Sequence, residues 1–506
     1  LQSFAPNEVV IQKKYQRNFL EAFGDKFYTF TLEDWVFTQE FTQERLLKHF
    51  DIKSLKGFGV DDLELATIAG GAALHYLAET HHHQVKHISN LQRIEEEHHV
   101  WMDRFTIRNL ELFNSANEGA ITLIDVLDHC ITPMGSRMLK RWLSFPLKDR
   151  QPIEERLSVV EKLMHDMSLS DLLQKHINEI GDLERLITKV ATGRINPREV
   201  VQLKRALTAI KPIQEACQNS GNNALQTIAK QLNPCAIIRD KIADEIKQEP
   251  SISISKGGVF VTGVSTELDE LRNIAQSSQE HLQQILETET KRTAIPSLKI
   301  AFNNVFGYYL EVRNTHKDKV PEEWIRKQTL VNAERYITEE LKDLESKILG
   351  AEEKITALEI RLFNDLLLAL MDYIEPVQLN GQLISKLDCL FSFATVSNRQ
   401  NYARPSINKG FDLNIKNGRH PVIEQQLPLG EGYIANDVFL DKEEQQIIMI
   451  TGPNMSGKSA LLRQTALIVL MAQIGCFIPA ELAEIGLVDK IFTRVGASDN
   501  ISKGES

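Results

Sequence analysis

Three features of this 506-residue sequence predict a multidomain fold of the α plus α/β class. Residues 93–255 carry Leu, Ile, Glu, Lys and Arg at helical spacing, with Pro and Gly only as punctuation. Two long apolar stripes flank a short strand-rich insert between residues 264 and 362. Near the C-terminus an apolar run meets a glycine-rich turn and then a helical period. At about 150 residues per domain, the length predicts three or four domains.

Composition narrows the function classes. Hydrophobic residues make up 42% and charged residues 25%, as in ordinary globular proteins. No uncharged apolar run reaches the roughly 18 residues of a spanning helix, so no membrane role is expected. The formal net charge of −11 argues against a wholly basic nucleic-acid coat. It leaves local DNA contact open, because the field at the groove decides that. The five cysteines are scattered with no CxxC spacing, which predicts a reducing compartment and no cysteine metal site. The chain opens on Leu1 and stops at Gly504-Glu505-Ser506, and is read as an internal piece of a longer protein.

Residues 1 to about 92 read as α/β. Phe27-Tyr28-Thr29-Phe30 is strand-like, Leu46, Leu47 and Phe50 share a helical period, and residues 67–77 (TIAGGAALHYL) form a tightly packed helix. His81-His82-His83, with His75 and His87, lack the i, i+4 spacing and the acidic or thiol partners of a metal site. They are read as solvated helix-end residues. The all-α region follows over 93–255.

The first stripe is Val264, Leu268, Leu271, Ala275, Leu282 and Ile285, with Ser278 as its gap. The second is Leu341, Leu344, Ile348, Ala351, Ile355, Leu358 and Leu362, stepping alternately three and four residues. Together they predict two long helices packed along each other. Pro296 ends the first helix. Leu298-Lys299-Ile300-Ala301-Phe302 and residues 305–312 read as two strands joined by a turn at Asn303-Asn304. Lys299, Arg313, Lys317, Lys319, Arg326 and Lys327 face only four acidic residues over this stretch. Basic residues interleaved with Asn and Tyr suit phosphate contacts, and Asn303 and Asn304 join the candidates. A solvated hairpin tip fits the composition equally.

From about residue 405 the pattern changes to short strands and turns, such as residues 411–415. Residues 446–450 (QIIMI) predict a buried strand of parallel-sheet type. Directly after it, Thr451-Gly452-Pro453-Asn454-Met455-Ser456-Gly457-Lys458-Ser459 fits G-x-x-x-x-G-K-[ST], and a helix is predicted over 461–473. The chemistry explains the spacing. Gly452 and Gly457 let backbone N–H groups of the loop, including Pro453, Asn454, Met455 and Ser456, wrap a phosphate. Lys458 reaches the β- and γ-phosphates, and the Ser459 hydroxyl suits Mg²⁺. The base of the nucleotide is not fixed by this loop. Ser502-Lys503-Gly504-Glu505-Ser506 is a polar turn, or else the small Ser/Gly element that completes a partner subunit's nucleotide site. No apolar strand ending in acidic residues follows Ser459, so this piece is expected to bind ATP but not to hydrolyse it.

Several blocks carry a family resemblance. They are Thr132-Pro133-Met134-Gly135-Ser136-Arg137-Met138-Leu139-Lys140-Arg141-Trp142, Gly307-Tyr308-Tyr309 and Thr329-Leu330-Val331-Asn332-Ala333-Glu334-Arg335-Tyr336. Gly418-Arg419-His420-Pro421-Val422, residues 451–463 and Phe492-Thr493-Arg494-Val495-Gly496-Ala497 complete the set. On these residues the sequence resembles the MutS family of DNA mismatch-recognition ATPases, in order and over essentially the whole chain. The resemblance implies a partial α/β connector (1–92), a helical core (93–255) and a small β-rich clamp with lever-helix ends (256–345). Returning lever helices (346–404) and the first part of a P-loop, ABC-type ATPase domain (405–506) would follow. It also implies a homodimer that closes two clamps around mismatched double-stranded DNA and uses ATP and Mg²⁺ to switch to a sliding state. Tyr433 and Ile434 match the pair that packs on adenine, and Ser506 matches the serine that reaches the partner's γ-phosphate. A MutL-type partner and a cytoplasmic, nucleoid-associated location in a bacterium are implied as well. The mismatch-reading wedge, Phe-x-Glu, lies in a domain these residues do not match, and Phe19-Leu20-Glu21 is read as a chance tripeptide. The alternative is a family clamp on recombination junctions without mismatch reading.

Overall fold

The computed structural model describes residues 6–60, 62–80, 85, 88, 90, 91, 93, 96–115, 119–303, 305, 307–428, 431–453 and 456–494. The chain forms two compact units. One comprises Leu1–Arg194, Arg205–Ala236 and Tyr373–Ser506, the other Ile195–Lys204 and Ile237–Asp372.

The first unit opens with β1 (Glu8–Gln12), α1 (Gln16–Phe23) and β2 (Tyr28–Leu32), followed by α2 (Gln39–Phe50) and α3 (Glu64–Glu79). β1 and β2 pair in parallel, with α1 in the crossover. Small residues let α3 lie close on α2, and Leu46, Leu55, Val60 and Leu74 form the core beneath them. Leu32, Val36 and Ala72 form a second cluster. Phe19 stacks on Phe23 at 4.7 Å and meets Phe27 edge-on, so the Phe19-Leu20-Glu21 tripeptide serves local packing here.

Next come β3 (Trp101–Met102), α4 (Arg104–Asn109), α5 (Leu123–Leu127), α6 (Pro133–Ser144), α7 (Arg150–His165), α8 (Met167–Ile180) and α9 (Leu183–Ala191). α10 (Pro197–Gln218), whose residues up to Lys204 belong to the second unit, α11 (Asn223–Gln231) and α12 (Ala236–Glu245), which belongs to the second unit from Ile237 on, complete the helical run that the sequence predicts. Local caps start several of these helices. Thr132 Oγ1 accepts from Gly135 N at 3.0 Å, with Pro133 at the first helical position. Asp166, Asp182 and Asn222 cap α8, α9 and α11 in the same way.

In the second unit, α13 (Thr266–Thr293) leads to β4 (Lys299–Asn303), β5 (Gly307–Arg313), β6 (Ile325–Thr329) and β7 (Ala333–Ile337), and α14 (Glu339–Met371) follows. The four strands form an antiparallel sheet in the order β4-β5-β7-β6. The two stripes pack as expected. Leu282, Ile285, Leu341, Leu344 and Ile348 share one core with Leu310, Val312, Trp324 and Tyr336 of the strand-bearing segment. Ser278 is buried in its place in the stripe. Where the stripe continues, Glu359 is fully buried and accepts from Arg272 Nη2 at 2.8 Å and from Val259 N at 3.1 Å. A buried carboxylate needs such a full set of donors. β6 and β7 carry no strand signal in the sequence, because residues 325–329 (IRKQT) and 333–337 (AERYI) are too polar to stand out.

The first unit resumes with α15 (Ile374–Gln400), β8 (Ser406–Asn408), β9 (Leu413–Gly418), β10 (Asn436–Leu440), α16 (Lys458–Gln473), β11 (Leu482–Gly486) and β12 (Lys490–Ile491). The sheet order is β10-β9-β11-β8, with β9 antiparallel to both neighbours and β11 parallel to β8. β12 pairs with β3. Asp388 of α15 accepts from Ile131 N and Thr132 N, each at 2.8 Å, and from Thr132 Oγ1 at 2.6 Å. Much of the 132–142 sequence block is therefore a helix start docked on a buried carboxylate.

One expectation fails. Residues 446–450 form no strand, and Ile447 and Met449 are 85% and 86% exposed. An apolar run becomes a buried parallel strand only where neighbours take its N–H and C=O groups. The described residues offer it none. They therefore present a mixed four-stranded sheet and α16 in place of a parallel ATPase sheet around the loop.

Candidate functional site

The loop of residues 451–459 ends in α16. Gly457 stands at its N-cap with φ +81°, a left-handed conformation that glycine adopts at little cost. Residues 452, 453, 456 and 457 are exposed. Asn454 and Met455 lie outside the described residues. The first turn of α16 holds no acidic residue, so its free N–H groups and positive dipole end are open to an anion. Lys458 folds back on its own loop. Its Nζ donates to Gly452 O at 2.8 Å, to Pro453 O, and to Ser456 Oγ at 3.5 Å. A cation, exposed N–H groups and the Ser459 hydroxyl form a donor set that fits a phosphate with its Mg²⁺.

The other end of α16 is deeply rooted. Arg156 of α7 donates to Ile474 O at 2.8 Å, and its guanidinium lies 3.5 Å from the centre of the Trp142 ring. Gln473 is fully buried and donates to Leu147 O at 2.8 Å and Val488 O at 3.0 Å, while accepting from Val488 N at 3.2 Å. Apart from Trp142, which ends the 132–142 block, none of these residues stands out in the sequence. They bridge segments hundreds of positions apart, which local spacing does not report.

Tyr433 and Ile434 precede β10. The Tyr433 hydroxyl donates to Gln464 Oε1 of α16 at 3.0 Å, and burial raises its pKa to about 12. Ile434 is 84% exposed. Nearby, the buried His420 uses Nδ1 to accept from Val422 N and Ile423 N, each at 3.2 Å. Burial first, and the Arg463 charge second, hold its pKa down to about 3. Arg419 donates to Gln400 O at 3.0 Å at the end of α15 and pairs with Glu424 at 2.7 Å. The 418–422 block is thus accounted for by buried polar contacts.

The basic candidates of the strand-bearing segment divide into two groups. Lys299 pairs with Glu311 at 3.1 Å, Arg326 with Glu334 at 3.4 Å, and Lys319 donates to Ala294 O at 3.1 Å. Asn303 accepts from Val305 N at 2.7 Å and so builds the turn. Asn304 lies outside the described residues. Arg313, Lys317 and Lys327 are exposed and make no side-chain hydrogen bond or ion pair among the described residues. Lys327 sits at a register shift on the edge strand β6, a bulge that re-aims its side chain. Glu311, beside the Lys299 amine and then the Arg335 guanidinium, is held below the usual carboxylate range.

Ser506 and His81-His82-His83 lie outside the described residues. Among the described residues no group of three His, Cys, Asp or Glu could hold a metal, and no helix is long and apolar enough to cross a membrane.

Comparison with known families settles the chain's relationships. A model of MutS domain III matches residues 105–394, more than half of the chain. The chain belongs to the MutS family. Models of MutS domain II and MutS domain V match residues 1–89 and 448–506. The protein named DNA mismatch repair protein MutS in Parabacteroides distasonis is 60% identical over 506 residues, which is 100% of this chain and 58% of that protein. Its namesakes in Phocaeicola vulgatus and Bacteroides fragilis are 58% and 59% identical, again over 100% of this chain and 58% and 59% of their own lengths. This MutS-family chain therefore spans well under two thirds of the curated relatives it matches.

Proposed function

We propose that this chain is the nucleotide-binding and DNA-clamping part of an ATP-dependent DNA mismatch-repair protein. One observation carries the reading. A complete G-x-x-x-x-G-K-S loop opens a rooted helix within the stretch that matches MutS domain V. Residues 452–457 cradle the phosphates, Lys458 neutralises them, and Ser459 ligates Mg²⁺, which when bound offsets the triphosphate charge. On triphosphate binding the Lys458 ammonium leaves the carbonyls of Gly452 and Pro453 for the phosphate oxygens. Tyr433 and Ile434 pack on adenine, and Ser506 serves the site of the other protomer in a homodimer. ATP hydrolysis is assigned to the whole protein, where ATP binding switches a mismatch-bound state to a sliding one and signals to a MutL-type partner.

The segment 256–345 is assigned as the clamp, between a connector at 1–92, core helices at 93–255 and returning levers at 346–404. It touches the DNA backbone, and such contacts carry no sequence information. Arg313, Lys317 and Lys327 lead this binding, because among the described residues none of them makes an ion pair that it would have to break, although the Lys317 charge acts on Glu334 from a distance. Lys299, Lys319, Arg326, Asn303 and Asn304 contribute less. Salt titration of mismatched-duplex binding by the whole protein tests this. Neutralising Arg313, Lys317 and Lys327 lowers the logarithmic salt slope by about 0.9 for every phosphate that is no longer neutralised. Duplex binding indifferent to salt and to all three changes contradicts the reading.

A further inference from the structure

We infer that Gln464 is a positioning residue that ties the base-stacking Tyr433 to the phosphate-binding helix, so that recognition of the base depends on it. The inference rests on the reading of Tyr433 and Ile434 as the adenine platform. Gln464 is completely buried on α16, six residues beyond Lys458, which is about 9 Å along the axis. Its Oε1 takes the Tyr433 hydroxyl at 3.0 Å, and the raised pKa keeps that hydroxyl protonated and donating. Its Nε2 has no partner among the described residues. Gly418 lies directly against that amide: a Cβ at position 418 would stand 2.7 Å from Nε2. A leucine would fill the same space without burying an unsatisfied donor. What the carboxamide adds over leucine is its bond to Tyr433.

The consequence for the ring is specific. Tyr433 is anchored through its hydroxyl, while the neighbouring Ile434 stays 84% exposed, its carbonyl held by Asn436 Nδ2 at 2.9 Å. Phosphate loop and ring thus share one rigid helix as their reference. A nucleotide held by its phosphates at the N-terminus of α16 meets a ring whose tilt α16 itself sets.

The test separates base-dependent from base-independent binding in the whole protein. Affinities for ATP and for inorganic tripolyphosphate, both with Mg²⁺, are measured for wild type, Tyr433→Phe, Gln464→Leu, Gln464→Glu and the Phe/Leu double variant. ATP affinity is expected to fall about three- to tenfold in both Tyr433→Phe and Gln464→Leu, the worth of one hydrogen bond. Tripolyphosphate affinity stays at the wild-type value, the double variant is no worse than either single one, and Gln464→Glu, which keeps the acceptor, restores ATP binding. Equal losses for both ligands in Gln464→Leu, multiplying losses in the double variant, or wild-type ATP affinity in Tyr433→Phe overturns the inference. Tyr433→Phe changes no residue of α16 and the double variant leaves no unpaired carboxamide, so these two keep the inference testable even where Gln464→Leu alone disturbs folding. Tyr433→Ala tests the underlying platform on its own: unchanged ATP affinity there removes the platform and this inference with it, whereas a loss there with no effect of Gln464→Leu removes the inference alone.

Discussion

The two ends of α16 are made of opposite material. From Arg463 to Gln473 nearly every residue is buried, and the last turn is tied down by Arg156 and by both ends of the Gln473 carboxamide. At the start, the loop is exposed and the Lys458 amine rests on carbonyls of its own loop. Burial and non-local hydrogen bonds hold the rooted end, and their loss costs stability. The open end has surrendered little water and owes the fold little, which leaves its charge and N–H groups for a ligand. Preorganisation explains the pairing, since a phosphate cradle is useful only if the helix carrying it does not move.

Substitutions at the rooted end are expected to have the largest effect on folding. Arg156→Ala removes the donor to Ile474 O and the packing on Trp142, leaving a space and an unpaired carbonyl. A loss of about 3 kcal/mol in urea unfolding is expected. A change under about 0.5 kcal/mol, the size of an ordinary surface substitution, contradicts the rooted-end account.

His420 gives a smaller effect with a defined pH signature. Its folded pKa of about 3 lies below the ordinary value of about 6.5, so the unfolded chain takes up the proton first as pH falls. Its contribution is therefore complete above pH 6.5 and is lost progressively toward pH 3. At pH 5 the loss amounts to about 2 kcal/mol. His420→Asn keeps an acceptor for Val422 N and Ile423 N but does not titrate. Stability measured between pH 7 and 5 should fall less steeply in that variant, and an identical slope removes His420 from the account.

The same contrast explains what was legible in the sequence. The helices of 133–245, the two stripes and the β4–β5 hairpin announce themselves by spacing over a few residues. The phosphate loop does so too, because its chemistry needs glycines and lysine at fixed local intervals. The strand expected at 446–450 failed because apolar character does not supply partners. β6 went unseen because edge-strand polarity hides a strand's period, and the central β7 because its Glu334 and Arg335 interrupt the apolar alternation. Arg156, Gln473, Gln464, Asp388 and Glu359 are polar residues whose meaning lies in a partner far along the chain. Nothing in their neighbourhood of sequence distinguishes them from a solvated helix face.

The central claim is that the open end of α16 is a triphosphate site standing on a fold that does not need it. Lys458→Ala in the whole protein tests this most directly, with ATP affinity and unfolding free energy measured on the same samples. The account predicts that ATP binding falls at least tenfold, as expected when a charge-assisted hydrogen bond is removed, while stability shifts by less than about 0.5 kcal/mol. ATP affinity equal to wild type, or a drop in binding that tracks an equal drop in folding stability, contradicts it.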